Sequence, residues 1–304
     1  MIKAFTIPAK DTSPRQRIPR ACLLLLACLP LGASAEPVRI VTSSFPIFCL
    51  VREVVGDAAR VENLLAPGTD AHDFQLTRRE RERLDHAQLI VVNGLGMEPW
   101  LQSAIHASSP PGKIIVAAAG LGRLPSGQTN PHVWLDPVLA CGMVSNILAG
   151  LCAAEPAQAA RYTVGAAALT TRLQSLHEEI RTALLPFRGS ALVTQHDAFA
   201  HFARRYELKV AGVLEEIPGV GPSPRHLSRL REAAETCQVR AIFIEPRSAS
   251  SLARQFAKDL GLVLATLDTL ENGGPEAGAY EAGMRRNVRT LQQFLSPPPP
   301  AKKG

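Results

Sequence analysis

The sequence predicts an α/β protein of two α/β lobes joined by one long linking helix, and three observations carry that expectation. Short apolar runs alternate with amphipathic stretches, the pattern of strands with helices laid on the sheet faces. A segment from Pro156 to Leu185 is almost free of turn signals and carries a helical apolar stripe. The alternation resumes after it, so the order is lobe, helix, lobe. A chain of 304 residues is long enough for two domains of ordinary size.

In the first half, Val38 to Val41 reads as a strand and Phe48 to Val55 as a helix. Val61 to Leu65 is a strand, Thr77 to His86 a polar helix, and Leu89 to Val92 a strand closed by Asn93-Gly94. Met97 to Ala107 reads as helix and Lys113 to Val116 as strand. In the central segment Leu169, Leu173, Leu176, Ile180 and Leu184 recur at spacings of three and four. At 1.5 Å per residue this helix would be about 45 Å long, enough to link two lobes and restrict their motion. Gly165 marks either a bend in it or the junction of two ordinary helices. In the second half the strands are Ala191–Thr194, Lys209–Leu214, Ala241–Ile244 and Leu262–Ala265. The helices are Ala198–Arg205, Arg225–Thr236 opened by Ser223-Pro224, Leu252–Leu260 and Glu281–Leu295. The expected divisions are 1–35, 36–152, 153–187 for the linking helix, 188–296 and 297–304.

The two ends read differently. Lys3, Lys10, Arg15, Arg17 and Arg20 precede the apolar run Ala21–Leu31, and Ala33-Ser34-Ala35 follows it. Basic region, short apolar core and small-residue site in that order describe a secretory signal peptide, cut after Ala35. The run is well short of the roughly 20 residues that cross a bilayer. The competing reading makes Leu25-Leu26-Ala27-Cys28 a lipoprotein site with Cys28 lipidated. Residues 297–304, a proline run followed by lysines, are expected to be a disordered tail. Of the formal net charge of +6, the five basic residues of the leader against Asp11 account for four, leaving +2. No basic block with interleaved aromatics remains, so a nucleic-acid partner has no support. Export permits disulfides. Cys49, Cys141, Cys152 and Cys237 show no C-x-x-C spacing, and they are either buried small hydrophobes or include one disulfide.

Eight histidines are present. His86, His106, His177, His201 and His226 lie in helical, charge-rich stretches and are expected on the solvated surface. His72 follows a strand in Gly68-Thr69-Asp70-Ala71-His72-Asp73-Phe74, and His196 follows another in Gln195-His196-Asp197-Ala198-Phe199. His132 lies in Asn130-Pro131-His132-Val133-Trp134-Leu135-Asp136-Pro137, and Asp268 ends the last strand. Three of these four sit just beyond strand C-termini, where open α/β sheets hold ligands, and each half supplies two.

Those segments, with Ile244-Glu245-Pro246, resemble in order and spacing the signature stretches of the periplasmic metal-binding receptors of zinc and manganese ABC importers. The resemblance runs over nearly the whole chain after residue 35. It implies two α/β lobes with metal in the cleft between them, ligated by His72 and His132 from the first lobe and His196 and Asp268 from the second. It further implies high-affinity capture of a transition-metal ion in the periplasm, delivery to the membrane permease of an ABC importer, no enzymatic activity and a monomer. Three imidazoles with one carboxylate suit Zn2+, while Mn2+ prefers more oxygen. Manganese receptors resemble one another in a carboxylate where His196 stands, so Zn2+ is expected and Mn2+ is the alternative.

Asp73, Asp197 and Glu245 are candidates to orient the ligating histidines, though each could instead cap a helix or pair with an arginine. The histidine-rich loop of many zinc receptors is missing, since Gly120 to Thr129 is short and lacks histidine. A zinc-dependent exported hydrolase would need an open metal position for water, and no H-E-x-x-H or G-x-S-x-G is present. A scaffold in which metal serves only folding would unfold when stripped, whereas a receptor should stay folded and close only modestly on binding.

Overall fold

The structure, a computed structural model, describes residues 36–295 apart from 67–68, 70–73, 102–112, 217–219, 247, 249, 272 and 274–275. The expected signal peptide, most of the Met97–Ala107 helix, the C-terminal tail, and His72 and Asp73 therefore lie outside the described residues.

The first lobe runs β1 (Val38–Thr42), α1 (Phe45–Val55), β2 (Ala59–Asn63), α2 (Arg78–Asp85), β3 (Leu89–Val92) and β4 (Lys113–Val116). Its strands are all parallel, in the order β2-β1-β3-β4. A parallel sheet covered on both faces needs apolar side chains on both, which is why β3 reads Leu-Ile-Val-Val without alternation. Helix α1 starts three residues before the expected Phe48, because Pro46 is well placed in a first helical turn. Helix α2 starts with a capping box in which Glu80 accepts from the Thr77 N–H at 3.1 Å.

Between the lobes come α3 (Pro137–Ala154) and α4 (Ala159–Leu184), bracketed by short 3-10 turns at Pro156–Gln158 and Leu185–Phe187. The second lobe runs β5 (Ala191–Thr194), α5 (Ala200–Arg205), β6 (Lys209–Val213), α6 (Pro224–Thr236), β7 (Ala241–Ile244), α7 (Ser251–Leu260), β8 (Val263–Thr266) and α8 (Ala279–Phe294). Its sheet repeats the pattern, all parallel in the order β6-β5-β7-β8. The predicted fold class of two α/β lobes and a long helix is the observed one.

Helix α4 is continuous through Gly165, so the two-helix junction does not occur. Its expected stripe is buried, from Leu169 through Leu173, Leu176 and Ile180 to Leu184. Gly165 is where α4 crosses α1: a Cβ there would lie 2.2 Å from the Val54 carbonyl oxygen. Arg172 adds charge pairing on the same face, reaching Glu53 of α1 at 2.6 Å and Glu281 of α8 at 3.1 Å. Gly165→Ala is therefore expected to destabilise. The gain in helix propensity, about 1 kcal/mol, is outweighed by moving the α1 backbone, and a net loss of about 1–2 kcal/mol should appear in urea unfolding.

One apolar core runs through both lobes. It includes Ile40, Leu50 and Val91 of the first, Met143 and Ile147 of α3, the α4 stripe, and Leu192, Phe243 and Leu291 of the second. From Pro37 onward the chain accordingly forms a single compact unit. The four described cysteines are free thiols, which answers the disulfide question for them. Burial, helped by Glu281 and Glu53, pushes the Cys49 thiol up to about 12.

Candidate metal centre

In each sheet the strand order reverses between the first and third strands, and side chains just past that switch point face a crevice. In the second lobe the switch point lies between β5 and β7. His196 stands two residues beyond β5 and Glu245 directly follows β7. Their side chains meet, with His196 Nδ1 2.6 Å from Glu245 Oε1. A carboxylate only accepts, so Nδ1 carries the proton and Nε2 presents its lone pair to the crevice.

His132 arrives from the first half on the segment before α3. Asn130 Oδ1 accepts from the His132 backbone N–H and faces its Nδ1, both at 3.0 Å. The Asn130 amide nitrogen donates to the Asp197 carbonyl at 2.6 Å and lies 3.2 Å from its carboxylate, which fixes Oδ1 as the acceptor. His132 is thus held in the same tautomer as His196. The segment is also held from its own lobe. Buried Glu98 accepts from the Ser43 hydroxyl at 2.6 Å and from the Asn93 and Gly94 N–H groups at 2.7 and 3.0 Å. Burial raises the Glu98 carboxyl above the usual range. The Asn93 amide in turn donates to the Pro131 carbonyl at 3.1 Å.

The two Nε2 atoms lie 3.3 Å apart. Two nitrogens on one tetrahedral ion, with bonds of about 2.0–2.1 Å, sit about 3.3 Å apart. A carboxylate completes the group: Glu271 Oε1 is 3.8 Å from His132 Nε2. His132, His196 and Glu271 are all buried, and their candidate ligand atoms lie within 4.8 Å of one another.

Asp268, the carboxylate expected here, is not in that cluster. Its Oδ1 accepts from the Leu270 N–H at 2.8 Å and its Oδ2 lies 3.7 Å from Arg286. The chain turns after β8, so the carboxylate nearest the strand end points along the loop and Glu271, three residues on, enters the crevice. Of the residues expected to support the site, Glu245 bonds His196 and Asp197 bonds Asn130. Two histidines expected on the surface are buried instead. His201 Nε2 meets the Asn130 carbonyl at 3.0 Å, behind the site, and His226 Nε2 meets the Val213 carbonyl at 2.7 Å.

The segment that carries His132 is fastened to the second lobe. The Trp134 indole N–H donates to the Thr269 carbonyl at 2.7 Å, and the Tyr280 hydroxyl donates to the Trp134 carbonyl at 2.5 Å. Asp136 caps α3 through the Val138 N–H at 2.9 Å and pairs with Arg205 of α5 at 2.8 Å.

The family described as zinc-uptake complex component A, periplasmic, matches residues 40–294. The chain belongs to that family. Members of the zinc-uptake family are metal-binding receptors and not enzymes, in keeping with a buried cluster of ligand atoms. Among its relatives is the zinc-binding lipoprotein AdcA of Streptococcus pneumoniae, 28% identical over 92% of this chain and 60% of its own length. The chain thus spans less than two thirds of that relative. The high-affinity zinc uptake system protein ZnuA of Bacillus subtilis is 26% identical over 90% of this chain and 95% of its own length. The crystal structure of Zn(II)-bound AdcA superposes with a TM-score of 0.74 at 28% identity, over 87% of this chain and 59% of that one. FpvC of Pseudomonas aeruginosa, solved with Ni2+, gives 0.76 at 28% identity, over 85% of this chain and 96% of that one.

Proposed function

We propose that this zinc-uptake family member captures one Zn2+ ion in the periplasm and delivers it to the membrane permease of an ABC importer. His132, His196 and Glu271 would bind the ion, with His72 as the fourth ligand. The observation that carries the reading is the pair of buried Nε2 atoms 3.3 Å apart, each imidazole held by its Nδ1. Nitrogen-rich ligation favours Zn2+ over Mn2+, and four protein ligands would leave no position for the water of a hydrolase. The Zn(II) complex of AdcA supports the same ion, while the Ni2+ complex of FpvC keeps other divalent ions in view for competition.

The test is elemental analysis of protein purified from its own periplasm, with competition titrations against a zinc chelator. One Zn2+ per chain is expected, with Mn2+ failing to displace it. A native manganese load, or metal-dependent turnover, would overturn the reading. Stripped protein should remain folded and gain melting temperature on adding Zn2+, since the ion binds the native state alone. Glu245→Ala should weaken zinc about 10- to 100-fold, because His196 loses the partner that fixes its ring; isothermal titration measures this.

A further inference from the structure

We propose that Asp268 is a positioning residue: its carboxylate shapes the turn that aims Glu271 into the metal centre. This rests on the receptor reading above and deepens it. Thr269, Leu270 and Glu271 are all buried, so the loop after β8 has to find protein partners for its backbone. It finds them in consecutive order. Asn287 of α8, buried itself, accepts from the Asp268 N–H at 2.8 Å and donates to the Asp268 carbonyl at 2.7 Å. The Thr269 carbonyl takes the Trp134 indole N–H at 2.7 Å. The Leu270 N–H takes Asp268 Oδ1 at 2.8 Å, a side chain bonding the backbone two residues on.

That last bond ends on the backbone N–H of the strained residue. Leu270 has φ +65°, the left-handed region that a branched L side chain rarely adopts. Two things offset the strain. One is the Asp268 bond, and the other is a notch in α8: a Cβ on Gly283 would come within 2.3 Å of Leu270 Cδ2. An extended Leu270 would swing Glu271 off the bearing that leaves its Oε1 3.8 Å from His132 Nε2. Asp268 therefore acts on the metal only through Glu271.

The experiment is a double-mutant cycle on the full chain, titrating Zn2+ against a chelator of known affinity. Asp268→Ala should weaken zinc about 10- to 100-fold, and should add nothing once Glu271→Ala is in place. Asp268→Asn keeps the Oδ1 acceptor and should recover most of the loss. Gly283→Ala, which would intrude on Leu270, should lower affinity in the same Glu271-dependent way, and gives a second route should Asp268→Ala not fold. Three results would each overturn the inference: Asp268→Asn as damaging as Asp268→Ala, which marks a direct ligand; losses that add to Glu271→Ala; or no loss with Asp268→Ala. Failure of the unaltered chain to bind Zn2+, or indifference to His196→Ala, would instead remove the receptor reading beneath it.

Discussion

His196→Ala is expected to weaken zinc binding by more than about 100-fold, beyond the range seen when only a ligand's partner is removed. The variant loses one of the two converging nitrogens and also strands Glu245, whose carboxylate lies 2.6 Å from His196 Nδ1. Because His196 and Glu245 act as one unit, adding Glu245→Ala to His196→Ala should cost little more. His196→Asp is the informative companion, since an oxygen ligand shifts preference toward harder ions. Competition of Zn2+ against Mn2+ measures both. Unchanged zinc affinity in His196→Asp would remove the argument for zinc from donor type.

The second large effect is on stability. Trp134 is fully buried, its indole bonds Thr269 across the lobes, and its carbonyl takes the Tyr280 hydroxyl. Trp134→Ala should cost about 3–5 kcal/mol, which corresponds to roughly 10 °C in melting temperature for a chain of this size. Trp134→Phe should recover the packing but leave the Thr269 carbonyl short of its donor, a residual loss of about 1–2 kcal/mol. Thermal and urea unfolding of the metal-free protein test this. A loss below about 1 kcal/mol in Trp134→Ala would show that the indole fills no essential space.

Much of this was legible from residue order, and the gaps have physical causes. Parallel strands covered on both faces appear as short apolar runs, so β1, β3, β4 and β7 were read nearly as they stand. Helix α3 was passed over. Its small and apolar residues, mean hydropathy 1.8, blur the contrast from which a helical period is read. The Asp136-Pro137 pair, a cap followed by a favoured first residue, was the available signal. By length and composition α3 could also cross a membrane, but its Ala140, Met143, Val144, Ile147 and Leu151 are buried in the shared core.

In the candidate centre, the structure brings together His132 and His196, each of which stands in a distinctive sequence context. Glu271 joins that cluster without a sequence signal, because Asp268 is closer to the strand end and nothing local announces that Leu270 turns left-handed. His201 was misread for a related reason. A charge-rich stretch does not say which side of a one-and-a-half-turn helix meets the protein, and α5 turns His201 toward Asn130.

The core shared by both lobes bears on how a bound ion would leave. Each half is the other's packing surface along α4, and Trp134, Asp136 and Asn130 fasten one to the other beside the candidate metal centre. Opening the halves like a book would expose apolar surface on both sides of α4 and break those bonds together. Dissociation by that route would be slow whatever the strength of the metal bonds.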